Sequence, residues 1–266
     1  MRASFLPRLA AVAAAGLLAS VVPAAANQAQ LSYIGYLAGA PVLTLSANIT
    51  VPVGTKPGDG AYKIAADIAT TGNLALLYPF TQSLQAAGAL KSGKAQPASY
   101  QSTMRIWSRQ EFIALTYAPN GSVGIRAVPL TKQAQMAQQQ GYANATIDPA
   151  SLMVAVATLF AKAGNCEGQY QLFDGARRYD LTLAQGGYAD LDAMPNSYYA
   201  GSATECTATS QLVAGFQQSA LNANLYPQSA KLWMAPAIAG FPTVPVRILA
   251  QSAFGEMTLE LAKVTQ

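Results

Sequence analysis

Fifteen residues, Pro149–Ala163, reading PASLMVAVATLFAKA, limit the fold more than any other stretch of this chain. They are apolar on almost every side, and a helix without a polar face has to be buried all round. The flanks fix its ends. Asp148 can cap the N-terminus, Pro149 suits the first helical position, where a missing N–H costs nothing, and Gly164 is a natural stop. At 1.5 Å per residue the helix is about 22 Å long, which matches the width of a sheet able to wrap it.

Most of the remaining chain supplies strands. Tyr33–Leu37, Val42–Val53 and Tyr62–Thr70 alternate apolar and polar side chains, with a break at Gly39-Ala40-Pro41 and a turn cluster at Lys56-Pro57-Gly58-Asp59-Gly60. They read as the first three strands of an antiparallel meander with one face toward a core. Leu74–Leu77 fits either a helical turn or a strand, Pro79 interrupts it, and Phe80–Ala87, stopped by Gly88, reads as a short helix. Ser99–Val128 returns to strands, with Tyr100, Ser102, Met104 and Ile106 on one face, Arg105, Trp107 and Arg109 on the other, and a turn at Asn120-Gly121. Thr131–Gln140, TKQAQMAQQQ, offers no apolar face worth burying and reads as an exposed loop or frayed helix with solvated glutamines. Later strands are expected at Ala203–Val213, Lys231–Ala235 and Thr243–Ala250. The last follows a turn at Ala253-Phe254-Gly255 and alternates Met257, Leu259 and Leu261 with Glu256, Thr258 and Glu260. About ten strands around one buried helix make the fold class mainly β: a curled antiparallel sheet shaped as a half-barrel or spiral.

Past the helix, Asp174-Gly175 between two strand-like runs predicts a two-residue hairpin, with Phe173 opposite Ala176 and Leu172 opposite Arg177. Alternation then puts Tyr170, Leu172, Tyr179, Leu181 and Leu183 on one face with Cys166, and Gln169, Gln171, Arg178 and Asp180 on the other. Arg177 falls on the otherwise apolar face near the tip.

Residues 1–26 read as an export leader: Arg2 and Arg8 before an apolar run Leu9–Val22, then Ala24-Ala25-Ala26 as a cleavage site. The apolar run is short for a bilayer span of about 20 residues, so no stable span is expected once the leader is removed. Residues 27–266 then form a single β-rich domain, with no Pro/Gly/Ser-rich linker dividing it. Beyond an export leader, oxidising conditions favour a Cys166–Cys206 disulfide; two buried thiols or one reactive thiol are the alternatives. Setting Arg2 and Arg8 aside leaves 14 basic against 12 acidic side chains, scattered singly or in pairs, which argues against nucleic acid as a partner. The chain has no histidine, which removes Ser-His-Asp and Cys-His catalysis and histidine-ligated zinc together.

Several of these residues also carry a family resemblance. Asp148-Pro149-Ala150-Ser151 with its apolar helix, a cysteine, the run Phe173-Asp174-Gly175-Ala176-Arg177-Arg178-Tyr179-Asp180, and a second cysteine resemble the domain of unknown function 3108 family. So does the ending, where Trp233 and Pro236 precede Pro245-Val246-Arg247-Ile248 and a strand after Gly255. The resemblance implies a periplasmic protein of a Gram-negative bacterium, similar in architecture to the LolA-like and LolB-like lipoprotein carriers. It implies no catalytic residues.

Arg177, Arg178 and Asp180 are the candidate binding residues, for an anionic headgroup or glycan; ordinary hairpin pairing explains them equally in kind. Asp174 with Asp180, or Asp190 with Asp192, would be the carboxylate pairs of a hydrolase, but turn and loop roles account for them. Aromatic residues spread over many strands (Tyr33, Tyr36, Tyr62, Tyr100, Trp107, Tyr117, Tyr170, Tyr179) can line a concave surface for a lipid or simply pack the helix. The expected function is a non-enzymatic periplasmic envelope protein, without cofactor or metal, holding a hydrophobic ligand or a lipid-bearing partner such as a lipoprotein. An interaction protein that binds envelope proteins and has no ligand cavity is the alternative, and a carboxylate-based hydrolase comes third.

Overall fold

The computed structural model describes residues 26–52, 59–218, 226–252 and 255–266. Nearly all of the expected leader, residues 56–58 of the first turn cluster and Ala253-Phe254 of the last turn lie outside the described residues.

Strands β1 (Ala26–Leu37), β2 (Ala40–Pro52) and β3 (Gly60–Thr70) are the three opening strands expected from their alternation. A short helix, α1 (Gly72–Leu77), leads to β4 (Phe80–Lys91), β5 (Lys94–Ile106), β6 (Arg109–Tyr117) and β7 (Val123–Val128). Two helices follow, α2 (Lys132–Gln140) and α3 (Pro149–Ala163). The chain ends with β8 (Gly168–Phe173), β9 (Arg178–Leu191), β10 (Gly201–Ala214), β11 (Ser229–Ala235), β12 (Val244–Ser252) and β13 (Gly255–Thr265). Among the described residues the strands number 13 rather than about ten. All belong to one antiparallel sheet, ordered β7-β6-β5-β4-β3-β2-β1-β13-β12-β11-β10-β9-β8.

That order is two meanders joined where the first strand pairs with the last. The joining segment must therefore travel from the free edge β7 to the free edge β8, and α3 makes the journey through the concavity of the curled sheet. Ala29, Leu31, Ile49, Val51, Tyr62, Ile64 and Leu261 point inward from the strands to meet Ala150 and Val154 of α3 in one core. The same segment blunts both edges, which otherwise present unpaired backbone groups. Gln138 Nε2 of α2 donates to Ile125 O on β7 at 2.7 Å. On the other side Ile147 N donates to Gln171 O at 2.9 Å and Phe173 N to Ile147 O at 3.0 Å.

Helix α3 forms as its sequence dictates. Asp148 accepts from Ser151 N, Pro149 opens the first turn, and Gly164 closes the helix in the left-handed region with φ 68°. Cys166, which follows, is joined to Cys206 on β10 with Cα atoms 6.2 Å apart. The bridge spans strand β9 and sits among Val156, Leu183, Ala208 and Met234.

Five local expectations are corrected. Phe80–Ala87 is strand, not helix: Phe80, Gln82, Leu84 and Ala86 turn inward in alternation. Gly88 is no stop signal; a Cβ there would lie 2.4 Å from Gln96 O and 2.5 Å from the Tyr62 hydroxyl, so the glycine admits Tyr62. Thr131–Gln140 is a capped helix whose small Ala134 and Ala137 are buried, and Thr131 Oγ1 accepts from Ala134 N at 3.2 Å. Trp107 is not on a strand face but in the tight turn between β5 and β6, at φ 56°. Glu260, expected outward, is buried and ion-paired with Arg247, because the β9–β10 connection covers that face and Tyr198 N donates to Leu261 O at 2.7 Å.

The fifth is the β8–β9 turn. It holds four residues, Asp174–Arg177, and pairs Phe173 with Arg178 and Leu172 with Tyr179. The Asp174 carboxylate accepts from Ala176 N at 3.0 Å and Arg177 N at 2.8 Å, holding a wider turn than a two-residue hairpin allows. The register moves by two residues, so every strand side chain keeps its face. Ala176 and Arg177 leave the strand for the turn.

Candidate binding cleft

At one end of the half-barrel the β8–β9 turn hangs over the concave faces of β4, β5 and β6, and a cleft of about 400 Å³ lies between them. Its floor is built from Leu84, Tyr100, Ser102, Met104 and Ile113, with Pro149 at the start of α3. The facing wall is Asp174, Ala176, Arg177 and Tyr179, with Tyr226 beside them. The wall and floor meet closely: a Cβ on Gly175, at φ 104°, would lie 2.2 Å from Cγ2 of Ile113.

Arg177 is the cation of the cleft wall, and Arg109, paired with Glu111, lines the opposite rim. Arg177 Nε and Nη2 donate to Asp174 Oδ2 at 2.8 and 2.7 Å, and Cζ stands 5.4 Å from the Tyr226 ring centroid. Burial works against its charge, but the Asp174 carboxylate outweighs that and raises its pKa, so the guanidinium stays charged. Two of the three candidate residues go elsewhere. Arg178 Nε binds Asp180 Oδ1 at 3.0 Å and Arg178 Nη1 donates to Tyr142 O at 3.3 Å, away from the cleft lining. Of the proposed carboxylate pairs, Asp174 is spent on its turn and on Arg177, and Asp190 and Asp192 are exposed.

No spacing announces the polar layer under the floor, because Tyr62 comes from β3, Tyr117 from β6, and Asp148 and Ser151 from the start of α3. Asp148 is fully buried; Oδ1 accepts from Ser151 N at 2.8 Å and Oδ2 from Ser151 Oγ at 2.7 Å. The Tyr62 hydroxyl donates to Ser151 Oγ at 2.8 Å. Burial raises the Asp148 carboxyl pKa against the lowering effect of the Ser151 bonds. Burial also pushes Tyr62 up to about 12, and raises Tyr117 further, with the Asp148 charge adding to it. The Tyr117 hydroxyl is buried without a partner in hydrogen-bonding geometry. Among the described residues no three His, Cys, Asp or Glu side chains converge as a metal site.

Between α3 and β1–β2, where Leu31, Ile49, Val51, Met153 and Val154 meet, the space is about 20 Å³, enough for roughly one water. A groove of about 700 Å³ on the convex face, near Ile34, Tyr36, Pro41 and Met194, has no buried residue in its lining. Among the described residues no helix is long and apolar enough to cross a membrane.

Residues 32–262 match a family model described as a protein of unknown function, DUF3108. No curated protein matches the sequence. Among solved structures, the chain is similar to a β-barrel-like protein of the domain of unknown function DUF1849 from Brucella abortus. The identity is 11%, the match covers 90% of this chain and 97% of that one, and the TM-score is 0.49.

Proposed function

The chain belongs to the DUF3108 family, and from that premise we propose that it is a non-enzymatic periplasmic protein of the cell envelope that holds a small hydrophobic ligand, or the lipid part of a partner, in the cleft under the β8–β9 turn. The observation that carries the reading is the cleft itself. Its volume of about 400 Å³ falls within the range of small-ligand sites, about 300–1,000 Å³, and its floor of Leu84, Tyr100, Met104 and Ile113 faces Arg177, which Asp174 holds in place. An apolar ligand with an anionic end suits that pairing. The export-like leader and the cysteine bridge support the periplasmic location.

The interior beside α3 favours a second reading, an interaction protein that carries nothing, because the helix already fills the concavity there. The two are separated by titrating the purified protein with 1-anilinonaphthalene-8-sulfonate, an anionic amphiphile. Binding that saturates at one site, and weakens at least about tenfold in Arg177→Met, supports the cleft. Saturating binding unchanged in Arg177→Met places the probe elsewhere, and absence of binding favours the interaction reading.

A further inference from the structure

The rim around the cleft mouth is apolar in an unusual way. Three successive connections end there: β3 to β4 through α1, β5 to β6 through Trp107-Ser108, and the exit of β7. Their adjacency follows from the register, which pairs Phe80 with Ile106, Ile106 with Arg109 and Phe112 with Val128. Trp107 N also donates to Pro79 O at 3.2 Å. Each connection holds large apolar side chains out in solvent. Leu76 is 79% exposed, Leu77 73% and Trp107 62%, and Tyr78, Val128 and Leu130 are exposed as well. Helix α1 buries no residue of its own, so Leu76 and Leu77 contribute little to the fold.

We propose that this rim docks on the surface of a lipid bilayer. Three observations favour lipid over a protein partner. The apolar groups come from three separate connections at one end of the sheet, not from the face of one element. They combine leucine and valine with one tryptophan and one tyrosine, the residues that settle at the level of lipid headgroups. Behind them stand Arg105, Arg109 and Arg126, against Glu111 as the sole carboxylate of β5, β6 and β7, and Arg109 Nη2 holds it at 2.6 Å. The charge left over is positive, which complements anionic lipid. The docking surface continues into the cleft, since Met104, Arg109, Ala127 and Pro129 line it from the rim side. Docking stands on the exposed rim alone and holds whether or not the cleft carries a ligand.

The test uses the protein isolated from the cells that make it and vesicles of phosphatidylethanolamine and phosphatidylglycerol at 3:1, with pure phosphatidylcholine for comparison. In Trp233→Phe, Trp107 is the sole remaining tryptophan. Its emission is expected to shift to the blue on adding the anionic vesicles and to be quenched by bromine on the acyl chains. In flotation, wild-type protein should rise with the anionic vesicles, and Leu76→Ser/Leu77→Ser should reduce the bound fraction at least about tenfold. These two leucines are solvent-exposed, so the variant keeps its fold and the comparison survives any defect of Trp233→Phe. Wild-type protein that stays at the bottom with both lipid mixtures overturns the proposal. So does self-association without lipid that the leucine variant abolishes, which assigns the rim to a second copy of the chain.

Discussion

Asp148 gives the sharpest prediction, because one side chain caps α3 and is also a carboxylate fully shut away from water. Asp148→Ala removes the acceptor for Ser151 N and Ser151 Oγ. Loss of an N-cap costs about 1 kcal/mol, and a buried hydroxyl stripped of its acceptor adds about 1–3 kcal/mol. Release of the buried charge offsets part of this, leaving a loss of about 2 kcal/mol, or about 4–8 °C in Tm for a chain of this size. Asp148→Asn keeps an oxygen for Ser151 N and puts an NH2 donor in place of Oδ2, from which Ser151 Oγ can accept, so near neutral pH it should lose less stability than Asp148→Ala. The pH dependence has a definite sign. Burial raises the folded-state pKa of Asp148 above its ordinary value of 3.8. Between the two values the folded state binds more protons, so the stability contributed is complete below 3.8 and is lost as pH rises through the folded pKa. Urea unfolding from pH 4 upward should show wild type losing stability relative to Asp148→Asn and then running parallel to it. Equal slopes throughout, or Asp148→Ala as stable as Asp148→Asn, would refute the reasoning.

Breaking the bridge with Cys166→Ala/Cys206→Ala opens a link across 40 residues; chain entropy sets the loss at roughly 4 kcal/mol, measurable by denaturant midpoint. Alkylation under denaturing, non-reducing conditions should leave both cysteines of the wild type unmodified, and labelling of either contradicts the bridge. Gly175→Ala meets both a positive φ and the stiff Ile113 side chain, and should cost about 1–3 kcal/mol in urea unfolding. A second change, Ile113→Ala, should relieve part of that added cost, and strict additivity of the two would deny the contact between the turn and β6.

What was legible in the sequence is what short-range physics decides. The cap, first turn and stop of α3 lie within one residue of Asp148, Pro149 and Gly164, and the opening strands announce themselves by alternation. Strand β4 was obscured because Ala86, Ala87, Gly88 and Ala89 lack the β-branched side chains that mark strands, and only Tyr62 of the neighbouring strand explains the glycine. At the hairpin two local devices compete, and the Asp174 carboxylate prevails over the Asp-Gly pair. Glu260 could not be seen as buried, because the segment covering it lies some sixty residues away. The cleft was illegible for the same reason: Leu84, Ile113 and Arg177 meet through the sheet order, which no spacing encodes. Of the polar cluster singled out in advance, Arg177 reaches the cleft, while Arg178 and Asp180 satisfy one another.

The central claim is that the cleft is occupied in the cell, and native mass spectrometry of the protein isolated from the cells that make it tests it most directly. The account predicts a released adduct of lipid-like mass on the wild-type protein, absent from Leu84→Trp, whose ring fills the cleft floor. A clean apo mass in repeated preparations of the wild type, or an adduct that persists in Leu84→Trp, would contradict it.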